Sequence, residues 1–250
     1  MIAPMTKPPI RIDSFDLKPG RKIAGKYVID CKLGSGWEGE VYKVIETRTG
    51  IWRTAKLFYP HRNIGDKAVT YYAKQLNRLS KCLIVIHYIH SETIRVRGVP
   101  ITCLISEYVE GELLCDFVAR QPRKRLRPFE ALHLTYALSR GLEDIHRVKE
   151  YHGDLHAANV MVRRHGILFD IKLVDFYHWG APTAAHIKDD VINLIRLLYD
   201  SVGGQKHYKS QPPEIKEICR GLRRDLISKS FPTARHLREH LENFTWSSRA

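Results

Sequence analysis

Long hydrophobic runs are missing from this 250-residue sequence. No stretch approaches the roughly 20 apolar residues of a membrane-spanning helix, and CLIVIHYI, Cys82 to Ile89, reads as a buried strand. The N-terminal MIAPMTKPPIRID has no hydrophobic signal core, so a cytoplasmic setting is expected rather than export. Cysteine is sparse: the five, Cys31, Cys82, Cys103, Cys115 and Cys219, are odd in number, dispersed and free of CxxC spacing. Reduced thiols fit this better than disulfides or zinc. Acidic residues are outnumbered, 27 Asp and Glu against 41 Lys and Arg, for a formal net charge of +14. That balance permits nucleic acid, acidic proteins or phosphorylated ligands as partners. The basic runs at Arg123–Arg127, 163–164 and 220–224 are scattered, without interleaved aromatics. Nucleic acid is therefore not indicated beyond the charge itself, which a solvated basic surface also explains. Repeats and low-complexity segments are absent as well.

What is present divides into two kinds of text. Residues 1–25, with Pro4, Pro8, Pro9 and Pro19, read as an extended leader. From Lys26 the pattern is strand-like: KYVIDCKLG, EGEVYKVIET and IWRTAKLFYP, the last two joined by an RTG turn. A helix is predicted in DKAVTYYAKQLNRLSKC, then strands in LIVIHYIH and GVPITCLISEYV. The second half is mostly helical. Leu132, Leu138, Leu142 and Ile145 fall near helical spacing behind Pro128, which suits a first turn. DDVINLIRLLYDSV reads as a buried helix and PTARHLREHLENF as an amphipathic closing one.

LGSGWEGEVYKV places Gly34, Gly36, Gly39 and Val41 in the pattern G-x-G-x-x-G-x-V. Glycines so spaced let backbone N–H groups approach phosphates, although a plain glycine-rich hairpin fits the same letters. The motif lies between two predicted strands instead of opening a helix, which argues against a dinucleotide site. Lys56 stands on the following strand. A solvated surface lysine is the commonplace reading, but a lysine one strand after a glycine hairpin is how protein kinases hold the α- and β-phosphates. In EYHGDLHAANVMV, Asp154 precedes Asn159 by five positions in a polar loop closed by Val160, Met161 and Val162. Asp154 suits a base or orienting group for an attacking hydroxyl. Asn159 offers a neutral carbonyl, and Asp175, ending the apolar run of IKLVDFYHWG, offers a carboxylate. Hard oxygens beside phosphates are what Mg²⁺ prefers. Each residue alone is an ordinary turn or cap residue; four elements in this order, each in its own setting, are not a chance arrangement.

In these motifs the chain resembles the protein-kinase-like superfamily over roughly residues 26 to 245, closest in texture to small bacterial eukaryotic-like Ser/Thr kinases. The resemblance implies an α+β, bilobal fold: a leader over 1–25, a β-rich N-lobe with one main helix over 26–106, a hinge over 107–112, and a mostly helical C-lobe over 113–250 carrying the catalytic loop. It implies Asp154 and Lys56 as catalytic residues and Asn159 and Asp175 as Mg²⁺ ligands. ATP contacts would come from Gly34, Gly36, Gly39, Val41 and Lys56, with Met161 as a further one. In LISEYVEGELL, Glu107 and Val109 would offer backbone groups to adenine beside Ser106 as a small gatekeeper. Asp190 matches the buried aspartate that braces the catalytic loop. The implied cofactors are ATP and Mg²⁺, and the implied substrate is a protein hydroxyl. An acidic or regulatory protein partner would suit the charge, and no membrane partner is expected.

Departures from the family pattern are as informative. The helix after Lys56 should present a glutamate to that lysine, but Gln75 stands there, and no acidic residue lies between Asp66 and Glu92. Glutamine brings a hydrogen bond without charge, so either Lys56 is oriented more weakly, or another acid substitutes, or the protein is a nucleotide-binding pseudokinase scaffold. Gly153 replaces the arginine that receives an activation-loop phosphate in regulated kinases, so that switch is expected to be absent. His156 replaces the usual Ser/Thr-kinase lysine and, with the H-G-D-L-H-x-x-N pattern, keeps a small-molecule kinase of the aminoglycoside-phosphotransferase type as an alternative. Tyr177 replaces the D-F-G glycine, and the segment to Asp190 is short, with no A-P-E motif. The arginine that would pair with that motif is missing near Phe231 and Pro232. Thr54 replaces a small alanine, and Trp37 and Glu38 shift the aromatic tip of the glycine loop, with Glu38 adding negative charge near the phosphates.

Overall fold

The computed structural model describes residues 10–166 and 168–245, and the chain divides into two compact units. The first holds the described residues through Ser80 together with Ile86–Val109. The second holds Lys81–Val85 and the described residues from Glu110 onward.

The first unit is built on a six-stranded sheet of β1 (Lys22–Ile23), β2 (Tyr27–Ser35), β3 (Gly39–Glu46), β4 (Trp52–Phe58), β5 (Tyr88–Val96) and β6 (Val99–Glu107). Their spatial order is β1-β2-β3-β4-β6-β5, with every pairing antiparallel. Side chains alternate across such strands. Tyr42 and Val44 of β3, Ala55 and Leu57 of β4, and Cys103 and Ile105 of β6 therefore share one buried face. Against that face pack Ile12, Phe15 and Leu17. The part of the expected leader that the structure describes, residues 10–25, thus contributes to the core and supplies β1; residues 1–9 lie outside the described residues.

One buried carboxylate fastens this segment. Glu40 accepts hydrogen bonds from Lys32 Nζ at 2.8 Å and Ser14 Oγ at 3.0 Å, and also from the Tyr42 hydroxyl, which itself accepts the Leu17 N–H at 3.1 Å. Burial alone would raise the Glu40 carboxyl, but the donors Lys32, Tyr42, Ser14 and the Phe15 amide together hold it below the ordinary carboxylate range. Burial beside this carboxylate pushes the Tyr59 hydroxyl up to about 12.

Helix α1 (Lys67–Arg78) follows β4 and buries Val69, Tyr72, Gln75 and Leu76, a stripe at helical spacing. The strand expected at Cys82 to Ile89 is not formed there; the ladder begins at Tyr88. Leu83 is exposed, while Ile84 and Val85 are buried in the second unit. Ile84 seats where a Cβ on Gly141 would come within 2.3 Å of its Cδ1, and its carbonyl accepts the Leu173 N–H at 2.6 Å. This seat draws Lys81–Val85 out of the stretch expected for the N-lobe.

The second unit carries β7 (Glu112–Leu113), β8 (Val160–His165) and β9 (Leu168–Leu173) as a small antiparallel sheet. Its helices begin with the short α2 (Leu114–Ala119) and the long α3 (Pro128–Arg147) and α4 (Ala184–Ser201). Shorter ones follow: α5 (Gly204–Tyr208), α6 (Pro213–Cys219), α7 (Arg224–Ser230) and α8 (Ala234–Asn243). In α3, Pro128 takes the first turn and the Glu130 carboxylate accepts the Arg127 N–H at 3.2 Å, closing the helix start. Leu134, Leu138, Leu142 and Ile145 are fully buried in it, and α3 packs on α4 and α8. Among the described residues no helix is long and apolar enough to cross a membrane.

Candidate active site

In the first unit the site residues gather at the tip of the β2–β3 hairpin. The turn is closed by the Gly36 N–H to the Gly39 carbonyl at 2.9 Å. A Cβ built on Gly34 or Gly36 meets nothing within 4 Å, so both face open space. Gly39 differs: a Cβ there would lie 1.8 Å from the Leu57 carbonyl oxygen, so this glycine lets β3 run hard against β4. Val41 is the cross-strand partner of Lys56.

Lys56 is nearly buried, at 9% exposure. Its Nζ lies 2.8 Å from Glu38 Oε2 and 4.6 Å from the ring centroid of Tyr72 on α1. Glu38 thus supplies a carboxylate to the lysine from the hairpin, whereas α1 contributes no acidic residue and presents Gln75, fully buried. The sequence pointed to Glu38 only as a charge near phosphates. That its side chain folds back onto Lys56 depends on the turn, which residue spacing does not encode. Farther along the sheet, Ser106 is buried near the end of β6. The Glu107 N–H donates to the His87 carbonyl at 3.0 Å and its Oε1 accepts the His87 N–H at 3.1 Å. Val109 is the last residue of this unit.

In the second unit a polar loop connects α3 to β8, and Asp190 organises it from beneath. Fully buried on α4, this carboxylate accepts the His152 N–H at 2.7 Å and the Gly153 N–H at 3.0 Å, with His146 Nε2 at 3.1 Å. The His152 ring is fully buried as well. Its Nε2 lies 3.1 Å from the Val174 carbonyl and its Nδ1 accepts the Asp154 N–H at 3.2 Å. That pattern fits the neutral tautomer protonated at Nε2, and burial holds its pKa below the ordinary histidine value. The Asp154 carboxylate is about half exposed, at 53%, and lies 3.5 Å from His156 Nε2. Asn159 Nδ2 donates to the Asp154 carbonyl at 2.9 Å and reaches its Oδ2 at 3.3 Å. The Asn159 carbonyl accepts the Val174 N–H at 3.1 Å, which brings Asp175 into the next position, with a left-handed φ of 55°. Met161 is half-buried on β8 between β7 and β9.

Three residues that the sequence did not single out complete this unit's part: Tyr151, Trp179 and His186. Trp179 Nε1 donates to the Gly153 carbonyl at 2.8 Å, and its backbone N–H donates to the Tyr151 hydroxyl at 2.7 Å. That hydroxyl donates to the Gly180 carbonyl at 2.9 Å, and the Tyr151 ring stacks on His186 with centroids 4.3 Å apart. The Tyr177 N–H donates to the His152 carbonyl at 2.9 Å, while Phe176 is buried against the His152 ring. Gly153 has φ +80°, and a Cβ there would come within 2.4 Å of the Tyr177 carbonyl oxygen and 3.2 Å of Trp179 Cδ1. The space that a side chain at position 153 would take is filled by the segment itself. The aromatic density of FYHWG was the one sequence signal for this clamp.

Asn159 and Asp175 carry hard oxygen donors of the kind a divalent cation takes with phosphate. A nearly buried ammonium beneath open glycines suits a polyanion. Residues 27–215 match the model of the protein kinase domain. The chain is 28% identical over 159 residues to a Streptomyces coelicolor protein named "Probable serine/threonine-protein kinase", covering 62% of this chain and 23% of that one. It is 28% identical over 158 residues to the serine/threonine-protein kinase pkn2 of Myxococcus xanthus, covering 62% and 18%. The chain therefore spans about a fifth of the length of the curated relatives it matches. The crystal structure of the PknI kinase domain of Mycobacterium tuberculosis superposes with a TM-score of 0.62 at 19% identity, covering 90% of this chain and 98% of that one. That likeness is one of fold, a β-sheet N-lobe and a helical C-lobe. The chain belongs to the protein kinase domain family.

Proposed function

We propose that the chain is an ATP·Mg²⁺-dependent phosphotransferase acting on Ser or Thr hydroxyls of a protein substrate, and that it needs no phosphate in the segment after Asp175. The observation that carries this reading is the frame around Asp154. Asp190 holds the loop backbone at His152 and Gly153, Asn159 holds the Asp154 carbonyl, and the Asp154 carboxylate is left half exposed beside His156. A carboxylate so fixed accepts or orients the proton of an incoming hydroxyl. The names of the curated relatives support a Ser/Thr acceptor.

Lys56 and the backbone of the Gly34–Gly36 turn would hold the nucleotide phosphates, with Glu107 and Val109 offering backbone groups to adenine. Asn159 and Asp175 would hold Mg²⁺, which when bound neutralises phosphate charge. The residues of this chain supply positioning and charge; none forms a covalent bond to the transferred group.

The experiment is transfer of labelled phosphate from ATP to a degenerate panel of Ser, Thr and Tyr peptides, with Asp154→Asn and Asp175→Ala in parallel. Phosphoserine or phosphothreonine is expected, with a loss of about 100-fold or more in the Asp154 variant. ATP binding without any Asp154-dependent transfer would make the protein a pseudokinase scaffold. The second reading, a small-molecule kinase, draws on His156 beside Asp154, and transfer to aminoglycosides but to no peptide would establish it.

A further inference from the structure

The lysine of the first unit has an acidic partner in an unexpected place. Glu38 sits at the turn of the glycine hairpin, and its carboxylate forms the 2.8 Å ion pair with Lys56. Three contacts tie that turn to the chain just beyond β4. The Gly39 backbone is in the β3–β4 ladder opposite Phe58, and the Glu38 carbonyl accepts the Tyr59 N–H at 2.8 Å. The Arg62 guanidinium lies over the Trp37 ring, 3.1 Å from ring centroid to carbon. A carboxylate on so anchored a turn is a lasting partner for the ammonium, unlike one on a swinging lid. Several other carboxylates of this unit have partners of their own: Glu40 has Lys32 and Tyr42, Asp66 has Asn63 and Thr102, Glu46 has Thr49, and Glu92 has Lys26.

We propose that Glu38 is the positioning residue for Lys56, so that the lysine-orienting charge has moved from the helix to the tip of the glycine hairpin. The absence of an acid on α1 and the Glu38–Lys56 pair are then two sides of one exchange. Gln75 keeps the helix packed, and Glu38 keeps the ammonium pointed. This rests on the reading of Lys56 as the phosphate-holding lysine, and the experiment separates the two.

Binding of ATP·Mg²⁺ and of adenosine is measured by titration calorimetry, together with kcat and KM for ATP, in wild type, Lys56→Met, Glu38→Gln, Gln75→Glu and Glu38→Gln/Gln75→Glu. Glu38→Gln should weaken ATP binding about fivefold or more, a charged hydrogen bond being roughly twice as strong as a neutral one. It should leave adenosine binding unchanged and lower kcat. Gln75→Glu alone should bring no gain, because Lys56 is already paired, but in the double variant it should restore most of the lost affinity. Tighter ATP binding in Glu38→Gln would show a competitor of the phosphates and overturn the proposal, as would unchanged binding and kcat. If Lys56→Met binds ATP as wild type does, the phosphate reading of Lys56 itself falls. If Lys56→Met loses ATP while Glu38→Gln does not, only the present inference falls.

Discussion

Trp179 closes over Gly153, its indole nitrogen donating to the Gly153 carbonyl oxygen at 2.8 Å and its Cδ1 3.2 Å from where a side chain on that glycine would begin. In a kinase switched by phosphate, a charged side chain at this place waits for a phosphoryl group that orders the mobile segment. Here an indole and a tyrosine hydroxyl bond the segment, and under the proposed function no charge need be added.

Restoring a side chain at that position should therefore harm the protein. Gly153→Arg must hold a positive φ and also displace the Tyr177 carbonyl, which a Cβ would approach to 2.4 Å. Backbone strain of this kind costs about 1–3 kcal/mol before any clash is counted. Urea denaturation of Gly153→Ala and Gly153→Arg should show both variants destabilised by about 2 kcal/mol or more. A stable arginine variant that gains activity on phosphorylation would refute this account of the glycine.

Trp179→Ala should act locally. The side chain is largely exposed, so the global unfolding free energy should change by no more than about 1 kcal/mol. Amide exchange at Tyr177 to Gly180 should nevertheless rise, and phosphotransfer should fall with it. Native-like exchange rates in the variant would mean that Tyr151 alone suffices to hold the segment.

Thr183 offers a hydroxyl in this segment, and the structure gives it another task. Its Oγ1 accepts the His186 N–H at 3.3 Å as the N-cap of α4. Thr183→Ala should cost about 1 kcal/mol of stability and retain most of the wild-type rate, as should phosphatase-treated protein. Near-total loss of activity in Thr183→Ala, recovered in Thr183→Glu, would point instead to a phosphate switch.

Acid should weaken the second unit through His152. Burial lowers its folded pKa below 6.5, so the folded ring stays neutral where the unfolded one takes up a proton. Below pH 6.5 the unfolded state binds more protons, and stability should fall with decreasing pH at up to about 1.4 kcal/mol per unit, until the folded pKa is reached. Above 6.5 this contribution is fully present. Unfolding free energies at pH 5 and pH 7, compared between wild type and His152→Asn, should show a smaller pH difference in the variant.

Much of the candidate site was legible because its residues are fixed by short-range order: glycine spacing, a lysine one strand on, an aspartate five positions before an asparagine. The bracing role of Asp190 came from the family resemblance alone, and the structure buries it under the loop, bonded to the His152 and Gly153 N–H groups. What escaped the sequence depends on how turns bend and on which long-range contact wins. CLIVIHYI has the letters of a strand, yet Gly141 across the fold offers Ile84 a seat and the ladder starts later. Helix α1 shows no acid, and spacing alone does not reveal that the hairpin turn carries a substitute back to Lys56. Proline-rich text before Lys26 lacks the periodicity of an element, so its packed residues, Ile12, Phe15 and Leu17, were invisible to pattern reading.

Those packed residues decide where a usable recombinant fragment begins. The family-wide match opens at Tyr27, downstream of all three. A fragment cut there would wet the face shared by Tyr42, Val44 and Leu57, and would strip from Glu40 the Ser14 hydroxyl and the Phe15 amide. A buried acid that loses donors is expelled or protonated, and Glu40 lies between Gly39 and Val41, on the strand that leaves the glycine hairpin. Shortening the N-terminus to Tyr27 should thus disturb nucleotide binding at a distance from every cut residue, whereas a fragment that retains Ile12 should behave as the full chain does.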